Sequence, residues 1–296
     1  MVKAFLIILT APLALIPMYL LAEQLYDSRI ALYTSALYLV TPNVVLLTAT
    51  CMDAFYAVFL ITSTYLFFLS SRRKSVILAI LTGISLSFSM FLTFATTFLG
   101  VYFIALTVST YFLDRGKFKG HLTTLLISGG TFFISYLLTY WLTGYNILAC
   151  LREAIEINNK GSLHHSGCGT GYETPSRYLF ISGTNLFAFF SGIGFPTTTL
   201  WLREVKDTIR NGLSKRDFPS FLLAYVVLLI LIAFSTLYTV ETERIWMFMA
   251  PFILIPAAKN LRRYTDRRRN ERIFYVVIIM LYIQTLFFEV FLDTLW

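Results

Sequence analysis

Residues 76 to 113 read VILAILTGISLSFSMFLTFATTFLGVYFIALTVSTYFL, thirty-eight positions in a row without a charged side chain. A helix crossing a bilayer needs about 20 mostly apolar residues, so this run is too long for one crossing and fits two. Thr93, Thr96 and Thr97 near its middle mark a hairpin there. Moving outward in both directions, similar apolar runs recur along the chain. They cover 2–21, 30–47, 54–70, 76–92, 94–113, 122–143, 178–202, 218–238, 245–258 and 273–292. The run 245–258 is short and carries Pro251 and Pro256, which predicts a bent or re-entrant segment.

Composition supports the same reading. The chain has 296 residues, 57% hydrophobic, 17% aromatic and only 14% charged, with a mean hydropathy of +0.71. Soluble domains carry roughly a quarter charged residues. The deficit excludes a soluble enzyme, a disordered tail and a disulfide scaffold. The expectation is an all-α, polytopic transmembrane protein: a single domain over 1–296 with about ten spans and one larger outer loop, 144–177.

Net charge is +8, but the basic residues sit in short runs between apolar stretches. No basic face with interleaved aromatics lies outside those stretches, so nucleic acid is not an expected partner. Instead the runs set orientation. Arg72 to Lys74, Arg115 to Lys119, Arg203 to Arg216 and Lys259 to Arg272 are separated by two spans each time, and all four fall on one side. With Arg29, that side holds all of the 24 basic residues except Lys3, Arg152, Lys160, Arg177 and Arg244. The basic loops are therefore read as cytoplasmic and loop 144–177 as outside. The same parity places the N-terminus outside although Lys3 looks like an inward anchor, which fits an upstream span missing from the chain.

Chemistry is expected on the outer side. Ile147, Leu148, Leu151, Ala154 and Ile155 fall at helix spacing, with Arg152, Glu153 and Glu156 opposite them, the pattern of a helix lying in the membrane interface. The segment 158–173 that follows contains four glycines, His164, His165, Cys168 and Tyr172. Adjacent histidines in extended chain point opposite ways, so His164 and His165 are weak candidates for a divalent metal. Cys150 and Cys168 share this loop and could be bridged. Two short charged sites complete the set: Asp53 at the start of a span, and Glu241, Glu243 and Arg244 ahead of the aromatic segment beginning Ile245-Trp246.

Around these residues the sequence resembles a known family. The segment 25–69, with Arg29-Ile-Ala-Leu, then Tyr38-Leu-Val-Thr-Pro42, then Asp53 and Phe59, resembles the polyprenol-phosphate-sugar-dependent glycosyltransferases of the GT-C class, and more narrowly their family 39, protein-mannosyltransferase-like group. The segment from Glu241 to Pro251 resembles a late-helix pattern of prokaryotic members. The resemblance implies a lipid-linked sugar donor, membrane lipid surroundings, a protein, lipid or glycan acceptor, and a prokaryotic plasma membrane. It also implies an earlier span and a first outer loop with an acidic base, which this chain lacks. An acidic residue would deprotonate the acceptor, with Asp53, Glu153, Glu241 and Glu243 as candidates. Arg244 and Arg177 would hold the donor phosphate, since a guanidinium matches phosphate oxygens bidentately. Tyr172 and Trp246 would contact substrate. No nucleotide loop is needed, and a divalent metal is an open cofactor. The alternative is a transporter or flippase, or a non-catalytic subunit, for a lipid-linked glycan.

Overall fold

The computed structural model describes residues 2–48, 51–161, 174–215, 219–235 and 242–291, and among them every regular element is helical. The helices are α1 (Val2–Thr10), α2 (Leu15–Leu25), α3 (Ser28–Leu39), α4 (Pro42–Leu47), α5 (Asp53–Arg73), α6 (Val76–Leu92), α7 (Thr96–Leu113) and α8 (Arg115–Thr143). They continue with α9 (Ile147–Gly161), α10 (Pro175–Ile193), α11 (Phe195–Lys215), α12 (Ser220–Ala233), α13 (Thr242–Ile245), α14 (Ala250–Arg268) and α15 (Arg272–Phe291). Short 3-10 turns join α1 to α2 and α13 to α14.

Local chemistry sets most of these boundaries. Asp27 caps α3 by accepting from the N–H groups of Arg29 and Ile30, both at 3.0 Å. Ser75, Asp114 and Thr174 cap α6, α8 and α10 in the same way, each satisfying an N–H that the helix itself leaves open. The chain breaks between α6 and α7 where the threonines predicted a hairpin. There Thr93 is extended, and its Oγ1 accepts from Ala95 N at 3.2 Å.

The expectation of about ten spans is not matched by ten span-length helices among the described residues. Among the described residues, five helices are long and apolar enough to cross a membrane: Ile7–Leu25 with its 3-10 turn, α5, α7, α8 and α15. A sixth is obtained if α10 and the Phe195–Arg210 part of α11 count together, although they meet at 108°. Each discrepancy has a local cause. The run 30–47 is cut by Pro42, which forces Thr41 before it into extended backbone (ψ 124°) and starts a separate helix. The run 178–202 bends at Gly194, whose φ of 101° suits a residue without a Cβ. The described part of the run 218–238 contains the 14 residues of α12, and 245–258 is split between α13, a 3-10 turn and α14. Helix α9 forms as the spacing of its apolar residues predicted.

The core is aromatic. Phe252 stacks on Tyr225 with centroids 5.3 Å apart and meets Tyr102 at a tilt at 4.4 Å, and Phe67 lies flat on Phe103 at 4.1 Å. Helix α5 runs through the middle, touching α2, α6 and α8. Helices α8 and α15 sit at the periphery, with Phe133, Trp141, Tyr275 and Val290 exposed. Apolar rings facing outward on a 29-residue helix suit contact with lipid.

Residues from all four basic segments gather at one end of the bundle. Arg29 reaches Glu271 at 3.0 Å and Asp266 at 3.4 Å, Arg262 pairs with Asp27, and Lys259 sits over the Tyr26 ring at 4.9 Å. Arg72 donates to Gln24 O, and Arg203 contacts Tyr264. Within this end Glu204 is 2% exposed and is held by Lys259 Nζ at 2.9 Å, Arg263 Nη1 at 3.0 Å and Asn260 Nδ2 at 3.1 Å.

Candidate functional site

At the end away from the basic segments, two residues far apart in sequence meet. Asp53 lies in the first turn of α5 and Arg244 in α13, and Arg244 Nε stands 3.0 Å from Asp53 Oδ2. Their side chains are 20% and 32% exposed, so the pair is neither solvated nor sealed. A carboxylate in the first turn of a helix is also favoured by the partial positive charge there. Ile7, Ala11, Leu47, Cys51, Ala54 and Met247 form a small apolar cluster that adjoins the pair. The Cys51 thiol donates to Leu47 O at 3.1 Å, and burial, aided by the Asp53 charge, pushes it up to about 11. It stays a neutral thiol beside the charges.

Helix α13 is held in place from both sides. Thr242 Oγ1 donates to Asn185 O of α10 at 3.0 Å. Trp246 is wholly buried, edge-on to Phe189 with centroids 5.3 Å apart. From that position its ring packs the core instead of facing a substrate, and it anchors the chain two residues after Arg244. Arg177 is exposed in the first turn of α10, whose Thr174 cap accepts from its N–H at 3.3 Å. The neighbouring Tyr178 donates to Phe234 O, tying the start of α10 to the end of α12. Glu153 is exposed on α9, beside an Arg152–Glu156 pair at 3.2 Å. The α8–α9 turn stands near the same end, because Tyr145 meets Phe91 at the end of α6.

The sequence-derived candidates therefore divide. Asp53 and Arg244 are brought into direct contact, Arg177 shares the helix that braces α13, and Glu153 stands on a separate exposed helix. Glu243 lies within α13. Glu241, Tyr172, His164, His165 and Cys168 lie outside the described residues. Among the described residues, no three His, Cys, Asp or Glu side chains are close enough to hold a metal ion. Sequence reading missed Glu204 and its three partners. Its one signal was an acidic residue on the apolar flank of an amphipathic helix, Trp201 to Val205.

No family model and no curated protein matches this sequence. Solved structures do. The oligosaccharyltransferase of Archaeoglobus fulgidus, crystallised with Zn and sulfate, superposes with a TM-score of 0.65 at 15% identity, over 95% of this chain and 40% of that one. The likeness is one of fold. The same oligosaccharyltransferase in its apo form gives 0.56 at 12% identity, over 95% and 44% of the two chains. The enzyme, AglB, with an inhibitory peptide and a dolichol-phosphate gives 0.60 at 13%, over 92% and 43%. This chain thus spans about two-fifths of the length of the structures it resembles.

Proposed function

We propose that this protein is a membrane glycosyltransferase that moves a sugar from a polyprenyl-phosphate donor to an acceptor at the Asp53–Arg244 end of the bundle. That end is taken to face the outside of a prokaryotic plasma membrane, with the basic end cytoplasmic by charge bias. One observation carries the reading: an ion pair between Asp53 and Arg244, opposite the basic end, in a fold shared with an oligosaccharyltransferase that has been solved with a dolichol-phosphate. The run of Arg29, Pro42 and Asp53 supports the narrower, family 39-like reading.

In this scheme the acceptor attacks the anomeric carbon of the sugar. The bond from that carbon to the phosphate oxygen breaks, and its electron pair stays on the polyprenyl phosphate. The guanidinium of Arg244, oriented by Asp53 and assisted by Arg177, neutralises the charge that develops there. The acceptor proton passes to a carboxylate, for which Glu241, Glu243 and Glu153 are the candidates. Trp246 and Thr242 act as positioning residues for α13.

The test is release of polyprenyl phosphate from a labelled polyprenyl-phosphate sugar by membranes carrying the protein. Arg244→Ala and Asp53→Ala should lower release at least a hundredfold at equal expression, the scale of losing a transition-state charge partner. Arg269→Ala at the basic end should leave it unchanged. Near-normal release by both site variants would overturn the assignment.

A further inference from the structure

The basic end contains a cavity of about 600 Å³, within the range of ligand pockets. It is lined by five helices, α2, α5, α7, α8 and α12, with Lys74, the residue before the α6 cap, at its rim. The charged side chains lining it are Arg72, Lys74 and Lys117 against one acid, Asp114. Lys117 Nζ lies 2.8 Å from Asp114 Oδ2, so two positive charges remain uncompensated by the lining. Asp114 also spends its carboxylate on capping α8. Helix α12 starts at the rim without a side-chain cap, and uncapped N–H groups favour an anion.

Two buried polar atoms in the lining add an independent observation. His121 is 5% exposed, wedged edge-on between Phe67 and Phe68, and its Nδ1 has no hydrogen-bond partner. Gln24 Oε1 is likewise shielded and unpartnered, an acceptor that a headgroup hydroxyl and not the phosphate would satisfy. Buried polar atoms left without partners are rare, and they point to a group that completes them.

A second cavity of about 260 Å³ shares Lys74 and Gly120 with the lining of the first and adds Lys119. It continues between α6 and α8 past Val76, Ala79 and Ile127. Val76 in its lining is 55% exposed and the next residue, Ile77, is 72% exposed, on the outer surface of the bundle. A cationic pocket beside an apolar slot on the lipid-facing side has the two-part chemistry of a phospholipid. A soluble phosphate has no use for the slot.

We propose that this paired cavity binds an anionic phospholipid, with the headgroup phosphate at Arg72, Lys74, Lys117 and Lys119 and an acyl chain between α6 and α8. The site lies at the end opposite Asp53 and does not depend on the proposed activity. It would hold α5, α6 and α8 together from the other leaflet.

Native mass spectrometry of the full chain in detergent tests this, with phosphatidylglycerol, phosphatidylcholine or inorganic phosphate added. Wild type should retain phosphatidylglycerol far better than phosphatidylcholine. The double variant Arg72→Gln with Lys74→Asn should lower that retention about thirtyfold, at about fivefold per surface cation. Asn is chosen because Lys74 has a φ of 50°, which Asn tolerates. Lys119→Gln, at an exposed position, should lower it about fivefold and guards against misfolding of the double variant. Arg267→Gln with Arg268→Gln, exposed at the same end but outside the cavity, should leave it unchanged. An equal loss in that control would overturn the site in favour of diffuse surface charge. Competition by inorganic phosphate as strong as by phosphatidylglycerol would overturn the lipid in favour of a free anion. Undiminished retention in the double variant and in Lys119→Gln would overturn the proposal outright.

Discussion

Replacing Glu204 by Ala should destabilise the protein by about 3 kcal/mol, and the structure sets that figure. The carboxylate is almost wholly buried on α11 and accepts from Lys259, Asn260 and Arg263, all on one face of α14. Breaking a buried charged pair by removing one partner costs about 3–5 kcal/mol, because the other charge is left uncompensated. The lower end applies here for two reasons. Arg263 is 48% exposed and keeps Asp207 at 3.5 Å, so it can rehydrate. Lys259 is 26% exposed and keeps the Tyr26 ring, which offsets part of its loss. At about 2 °C per kcal/mol for a chain of this size, the melting temperature should fall by roughly 6 °C. Thermal unfolding of the purified protein in micelles, followed by tryptophan fluorescence, measures it. Glu204→Gln should fall between wild type and Ala, since the amide can still accept one of the bonds. A triple replacement by Leu at 204, Met at 259 and Leu at 260 should recover most of the loss, because apolar packing replaces a buried ion cluster at little cost. A shift of less than 2 °C for Glu204→Ala would refute the reasoning and mean that water, not protein, surrounds the carboxylate.

Two further predictions concern packing and pH. A Cβ on Gly83 would stand 2.5 Å from Ser128 O and 2.6 Å from Thr131 Cβ, so Gly83→Ala should force α6 and α8 apart and cost about 1–3 kcal/mol. Gly129→Ala meets nothing within 4 Å and should be neutral or slightly stabilising by helix propensity; equal melting temperatures for the two variants would refute the close approach. Asp27 is held below the usual carboxylate range, first by the Ile30 N–H and then by Arg262, against a small opposing effect of burial. A carboxyl depressed in the folded state contributes stability that is present above about pH 4 and lost as pH falls through its folded value. Asp27→Asn keeps a capping oxygen but cannot titrate, so its melting temperature should fall less steeply than wild type below about pH 4. Parallel acid branches would show that Asp27 does not contribute.

Part of the candidate site is legible in the sequence. Asp53 and Arg244 each stand out as charges at the edge of an apolar run, where ionisable residues are sparse. Their pairing is not legible there, because about 190 residues separate them and pairing depends on α13 being braced against α10. Trp246 shows the opposite case. An aromatic next to a charged cluster looks like a substrate contact or a belt residue, and only its burial against Phe189 assigns it to the core. The lipid cavity leaves no trace in the sequence, since its residues come from several helices and none of them forms a motif.

Composition and period alone determined that the protein is helical and built for a membrane, because a long apolar run can satisfy its backbone in lipid only by forming helix or a closed barrel. Tertiary structure decided how many of the runs are whole spans. Hydropathy sums over a window and does not register a turn, so Pro42 and Gly194 divide stretches that read as continuous. It also decided where the charges pair, since Glu204 with Lys259 and Asp53 with Arg244 join helices whose adjacency no local pattern encodes.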